Sequence, residues 1–71
     1  MTTQDVKKVC KAGLTVLRKQ GQRFAGGYLP VLEQYDLKKN KWVLFEKFHS
    51  EFGRQKRLET LAMDNNKVLI H

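Results

Sequence analysis

The sequence of 71 residues has one cysteine, one proline and no long apolar run. Its single cysteine, Cys10, cannot form an internal disulfide, and secreted domains of this size usually depend on disulfides for stability. The first residues lack the apolar stretch of a signal peptide, and no run of about 18 apolar residues could span a bilayer. We therefore expect a soluble, cytoplasmic protein that is not inserted in a membrane.

Residue types that perform chemistry are scarce and scattered. Acid–base hydrolysis needs two carboxylates in contrasting environments, whereas the seven acids are spread along the chain. Zinc needs three or four nitrogen and sulfur ligands, and the candidates Cys10, His49 and His71 are far apart in sequence. Ser50 is better explained as a helix cap than as a nucleophile. We expect no catalytic residue, no metal and no cofactor, and so a protein that is not an enzyme.

What the sequence does contain is apolar bulk and an excess of positive charge. Hydrophobic residues make up 41% of the chain, which is too apolar for a disordered tail, and 71 residues suffice for one domain. Fourteen Lys and Arg against seven Asp and Glu give a net charge of +7, which attracts polyanions at moderate salt. We expect a single small basic domain over residues 1–71.

The clearest periodic pattern lies in the first 21 residues. One apolar stripe at steps of three and four is formed by Val6, Val9, Cys10, Gly13, Leu14 and Leu17. This spacing predicts a helix over residues 3–20, begun by a capping box of Thr2 and Asp5 and ended by Gly21. In the alternative, the helix stops at Gly13 and residues 14–19 contain a further short strand, because β-branched Val16 lies off the stripe.

A β-hairpin is predicted next. Residues 28–35 and 42–48 are its two arms, and the polar segment between them carries Asn40, which is suited to a left-handed turn position. The preceding residues 21–27 are rich in glycine and are predicted to form a turn. They are not predicted to bind phosphate, because the nucleotide-binding motifs need a third glycine or a Gly-Lys-Ser/Thr ending, and neither is present. Pro30 has no amide hydrogen, which places the first arm at an edge of the sheet.

The last third of the chain predicts a second helix and a terminal strand. Ser50 caps the helix, residues 64–66 stop it, and residues 67–71 are short and β-branched enough to form a strand. Both faces of the second hairpin arm carry apolar side chains, so we expect a helix on one face and only partial shielding of the other. The predicted fold is α+β, with two helices on one antiparallel sheet in the order α-β-β-α-β, or with the further strand at 14–19.

Clusters of basic residues make nucleic acid, DNA or RNA, the first candidate partner. The residues predicted to bind it lie on the second helix and in the hairpin turn: Arg54, Lys56, Arg57, Lys38, Lys39 and Lys41. Two modes stay open. Arg54, Gln55 and Arg57 can enter a groove and read base edges, or aromatic residues on an open sheet face can stack unpaired bases. The aromatic candidates are Tyr28, Tyr35 and Phe45.

Two further classes of partner are alternatives to nucleic acid. The two-sided apolar arm and a free strand edge favour a protein-interaction or self-assembly module, bound to an acidic protein or to a second copy as a homodimer. Attachment to an anionic membrane is not expected, because the first helix has no aromatic anchor. The leading hypothesis is a non-catalytic accessory domain that binds nucleic acid.

Overall fold

The computed structural model describes residues 2–70, which form two helices and one four-stranded sheet. In chain order these are α1 (Thr3–Lys11), β1 (Thr15–Phe24), β2 (Gly27–Asp36), β3 (Lys41–Lys47), α2 (Glu51–Leu61) and β4 (Lys67–Ile70). The strand order in the sheet is β3-β2-β1-β4. Both β1 and β3 run antiparallel to β2, whereas β4 runs parallel to β1. The predicted α+β class, with one sheet and two helices, is confirmed, and the sheet is mixed rather than wholly antiparallel.

The first helix ends much earlier than the apolar stripe predicted. Gly13 has a φ of 93°, a left-handed conformation that Gly adopts without steric cost. Its amide donates to the carbonyl of Cys10 at 3.0 Å, and the amide of Leu14 donates to the carbonyl of Val9 at 3.3 Å. These two bonds form a Schellman motif, which terminates a helix. The predicted helix over residues 3–20 is therefore wrong, and the alternative that ends it near Gly13 and begins a strand is confirmed.

Both helix starts follow the capping signals in the sequence. The amide of Asp5 donates to the Thr2 hydroxyl at 3.2 Å, and the amide of Thr2 donates to the Asp5 carboxylate at 3.2 Å. The Ser50 hydroxyl accepts from the amide of Gly53 at 3.2 Å. Each cap satisfies amides that have no partner within the helix. The predicted cap residues of both helices are confirmed.

Each face of the sheet is covered by one helix. The neighbouring residues Val16 and Leu17 of β1 point to opposite faces, and both are fully buried. Val16 lies in a cluster with Val6 of α1, whereas Leu17 lies in a cluster with Leu58 of α2. We call these sides the α1 face and the α2 face. The expectation of one covered and one partly shielded face is wrong, because the helices lie on opposite sides of the sheet.

Pro30 lies in an interior strand, so its predicted place at a sheet edge is wrong. It stands opposite Gly21 of β1, and its carbonyl accepts from the amide of Phe48 at 2.9 Å. In an antiparallel strand the nitrogen and carbonyl of one residue point to the same side. The Pro30 nitrogen therefore faces the β3 side at the point where that ladder ends, after Lys47. No amide hydrogen is needed there.

The sequence predicted the β2–β3 turn correctly but overestimated the length of the β1–β2 turn. Asn40 has a φ of 55°, as expected for a left-handed position between β2 and β3. The predicted turn over residues 21–27 is mostly wrong, because Phe24 pairs with Gly27 and only the two residues between them form the turn. The β1–β2 hairpin is consequently long, and residues 19–24 of β1 extend past the last residue of β4 that pairs with β1.

Candidate nucleic-acid interface

Ion pairs neutralise only a minority of the positive charges. Four of the fourteen Lys and Arg side chains pair with a carboxylate, which leaves ten that make no ion pair with another residue in the range 2–70. The four pairs are Arg18–Glu33 at 2.8 Å, Arg54–Glu51 at 3.7 Å, Arg57–Glu46 at 3.0 Å and Lys67–Asp64 at 3.0 Å. The charge that remains for a partner lies on the other ten side chains.

The two arginines predicted to contact nucleic acid are engaged with the fold. Arg54 donates to the backbone carbonyl of Gln20 at 2.8 Å and lies 3.7 Å from the carboxylate of Glu51, and only 14% of its side chain is exposed. Arg57 donates to the carboxylate of Glu46 at 3.0 Å, which joins α2 to β3. Both guanidinium groups therefore hold α2 to the sheet.

Lys56 is the cation of α2 that has no acid partner in the described part of the chain. Its side-chain nitrogen lies 5.5 Å from the centre of the Phe52 ring, within the range of a cation–π contact. Phe52 itself is 72% exposed. This part of α2 presents one lysine beside an exposed aromatic ring, a much weaker positive site than the sequence predicted for the three cations together.

The predicted lysines of the β2–β3 turn are all exposed, and none of them makes an ion pair with a described residue. The Asp36 carboxylate accepts from the backbone amides of Lys38 at 2.9 Å and Lys39 at 3.1 Å. Together with the left-handed Asn40, these bonds fix the backbone of the turn. The side chains of Lys38, Lys39 and Lys41 therefore leave an ordered support and reach into solvent.

The last turn of α1 adds two lysines to this end of the sheet. Leu37 of the turn packs against the same buried cluster as Val9 and Cys10, and β1, which follows α1, begins beside the end of β2, so the last turn of α1 and the β2–β3 turn lie at the same end of the sheet. Lys8 and Lys11 are exposed on that last helical turn. Their proximity to the turn depends on how α1 packs, so the sequence alone does not place them in the predicted site. The cluster that we call the lysine end consists of Lys8, Lys11, Lys38, Lys39 and Lys41.

The structure does not bring all of the predicted binding residues together. Arg54 bonds to Gln20, which pairs with Val31, and Val31 precedes Asp36 by five residues of β2. At about 3.3 Å per residue, Arg54 and the turn are separated by roughly 17 Å along the sheet. Lys56 and Arg57 belong to α2, on the face of the sheet opposite α1. The predicted residues thus form two groups rather than one surface.

The aromatic candidates are distributed unequally between core and surface. Tyr35 is only 9% exposed, and Phe45 packs against the buried cluster of the α2 face. Tyr28 is 69% exposed on the β1–β2 hairpin. Of the three residues considered for base stacking, Tyr28 is the one whose ring can meet a partner.

The described residues show no convergence of groups that could bind a metal. Within the range 2–70, no three His, Cys, Asp or Glu residues lie close enough together to hold an ion. Cys10 is partly buried in the apolar cluster under α1, and His49 is exposed. His71 lies outside the described residues. Neither of the helices in this range is long and apolar enough to cross a membrane.

Comparison with protein-family models, with curated proteins and with solved structures finds no match for this chain. The molecule is thus defined by its own geometry: a small α+β domain with one helix on each face of a mixed sheet. Five exposed lysines lie at one end of that sheet. This group is the basis for a functional proposal.

Proposed function

We propose that the protein is a non-catalytic accessory domain that binds nucleic acid through the lysine end. The observation that supports the proposal is the placement of five exposed lysines at one end of the sheet, none of them paired with an acid among residues 2–70. Lysine binds phosphate as a compact point charge, and closely spaced lysines match the closely spaced phosphates of a nucleic-acid backbone. The lysine end is therefore suited to a phosphate backbone.

The same composition favours binding that depends little on base sequence. Contacts to phosphate fix the position of a protein but do not read bases, whereas bidentate readout usually uses Arg, Asn or Gln. The arginines of α2 are held by carboxylates and by a backbone carbonyl, which removes them from base reading in this conformation. We expect affinity that falls steeply with salt and varies little between oligonucleotides of different sequence. Cytoplasmic nucleic acid is the target that we propose, consistent with the lone cysteine.

Fluorescence anisotropy with labelled 20-nucleotide single strands and 20-base-pair duplexes, at several salt concentrations, tests this proposal. Each lost phosphate contact lowers the magnitude of the log–log salt slope by about 0.9 for a duplex. The double variant Lys38→Gln/Lys39→Gln should therefore lower that magnitude by up to about 1.8 and weaken binding at low salt.

A second double variant controls for net charge. Lys47→Gln/Lys56→Gln removes the same two charges from exposed positions outside the lysine end, and its salt slope should stay close to that of the wild type. Equal loss of affinity in the two double variants would show that binding follows net charge alone. Absence of binding to any oligonucleotide at low salt would contradict the proposal as a whole.

A second candidate function, self-association through β3, is favoured by one observation. In the described part of the chain β3 is an edge strand, and its Leu44 is 46% exposed. Lys41 and Lys47 are the first and last residues of that strand, and they oppose pairing with a second copy by charge repulsion. Light scattering at several protein concentrations distinguishes the two candidates, because a stable dimer that persists at high salt favours self-association.

A further inference from the structure

The β1–β2 hairpin carries an exposed aromatic ring that lies against the backbone of the neighbouring strand. The ring of Tyr28 lies directly over Gly21 of the neighbouring strand, and a Cβ atom at Gly21 would overlap the ring at Cε1 and approach Cδ1 to 2.8 Å. Gly21 has an ordinary backbone conformation, since its φ is not positive. Its lack of a side chain therefore serves to admit the ring rather than to make a turn.

An open groove of about 510 Å³ lies beside this ring on the α2 face. Its walls are the hairpin on one side and the first turn of α2 on the other. The residues lining it include Lys19, Gly21, Tyr28, Glu51 and Arg54. A flat apolar ring at the margin of a groove of this size can receive a second flat ring.

The charges around the ring suit an anionic ligand. Arg23 lies directly opposite Tyr28 in the register of the hairpin. Lys19 precedes Gly21 by two residues, so its side chain points to the same face of the sheet. Neither Arg23 nor Lys19 makes an ion pair with a described residue. The one acid of the groove, Glu51, lies 3.7 Å from the guanidinium of Arg54, which offsets its charge.

We propose that Tyr28 is a base-stacking platform for single-stranded nucleic acid, with Arg23 and Lys19 contacting the adjacent phosphates. This inference rests on the proposed function and narrows its ligand to a strand with unpaired bases. In a duplex the base faces are stacked on one another, whereas an unpaired base presents its face to an aromatic side chain. Stacking on one exposed ring tolerates any base, which agrees with binding that is independent of sequence.

The lysine end and Tyr28 lie at opposite ends of the sheet, so one strand can contact both. The longest dimension of the molecule is 37 Å. At about 3.4 Å per phosphate, this length corresponds to roughly 11 nucleotides of a stacked strand. A 20-nucleotide single strand is therefore long enough to reach both places.

Two substitutions distinguish the effect of the aromatic ring from the effect of its position. Tyr28→Leu keeps apolar bulk and removes the aromatic face, whereas Gly21→Ala keeps the tyrosine and displaces its ring by the added methyl group. Phe52→Leu is the matched control, since Phe52 is an equally exposed aromatic residue outside the groove. Thermal unfolding of all three variants verifies that each is folded before binding is measured.

Fluorescence anisotropy with single-stranded and duplex 20-mers then gives the test. Loss of one stacked base corresponds to a factor of about 5 to 150, so we expect Tyr28→Leu to weaken single-strand binding within that range. Gly21→Ala should weaken it in the same direction, while duplex binding and the Phe52→Leu variant stay near wild type. Unchanged single-strand affinity in Tyr28→Leu, or equal losses of affinity for single strand and duplex, would refute the stacking role of Tyr28 without contradicting the proposed function. A wild-type protein that binds neither oligonucleotide overturns both.

Discussion

The left-handed glycine that ends α1 allows a direct measurement of backbone strain. Gly13 has a φ of 93°, and a Cβ built there meets no atom within 4 Å. Gly26, in the β1–β2 turn, also has open space around a built Cβ, but its φ is not positive. The two alanine substitutions thus add the same methyl group to solvent and differ in backbone conformation.

The expected free energies of unfolding follow from two opposing effects. Alanine restricts the unfolded chain and stabilises the folded protein by about 0.4 to 1 kcal/mol wherever its native conformation is allowed. A left-handed backbone costs a residue with a Cβ about 1 to 2 kcal/mol. Gly13→Ala should therefore destabilise by about 1 kcal/mol, whereas Gly26→Ala should stabilise slightly. The difference between them is about 1 to 2 kcal/mol, the cost of the left-handed conformation itself.

Thermal and urea unfolding followed by circular dichroism measure this difference. For a domain of this size 1 kcal/mol corresponds to about 4 to 8 °C, so the melting temperatures of the two variants should differ by about 4 to 16 °C. Gly13→Asn is a useful third variant, because Asn tolerates the left-handed region better than Ala and should lose less stability. Equal melting temperatures for the two alanine variants would refute the proposed end of α1 at Gly13.

Two further perturbations test the packing under α1 and the turn before β4. Trp42→Ala should lower the free energy of unfolding by about 3 kcal/mol, as measured by urea unfolding, because it removes a partly buried ring that packs against the apolar cluster under α1 and makes an edge-to-face contact with Tyr35, with ring centres 5.4 Å apart; a loss below about 1 kcal/mol would contradict this packing. At Asp64, the amide of Asn66 and then the ammonium of Lys67 hold the pKa of the carboxyl below its ordinary value of 3.8. Its stabilising contribution should be complete above that pH and disappear as the pH falls through the lowered pKa, so acid unfolding of Asp64→Asn should depend less on pH than that of the wild type. An identical pH dependence in both proteins would refute this role.

Local signals in the sequence predicted where both helices begin and which residue takes the left-handed turn position, but not where α1 ends. The capping box at Thr2, the cap at Ser50 and the left-handed turn residue Asn40 are correct, because each depends on residues within a few positions. For the segment after Gly13 the pattern predicts helix, because Leu14 and Leu17 continue the stripe of α1. Its strand conformation comes from pairing with β2 and β4, which are distant in sequence. Tertiary pairing outweighed the local periodic pattern.

The candidate site was predicted in composition but not in arrangement. The sequence shows that Lys38, Lys39 and Lys41 belong to one turn, and the structure places them together. It does not show that Arg54 bonds to a carbonyl 34 residues away, or that Arg57 pairs with Glu46 across the helix–sheet contact. Such partners depend on packing, so a count of basic residues overstates the charge that is open to a ligand.

Two-sided burial of β1 has a consequence for how its register is chosen. In a sheet with one wet face, a slip of one residue would expose the whole apolar set and is strongly disfavoured. In β1 a slip of one residue would bring Arg18 to the site of Leu17 or Thr15 to the site of Val16, so one of the two apolar clusters would receive a polar side chain. Two further contacts also depend on this register: the ion pair of Arg18 with Glu33 and the fit of the Tyr28 ring over Gly21. The Tyr28 ring, which we propose to contact a ligand, thus also helps to fix the register between β1 and β2.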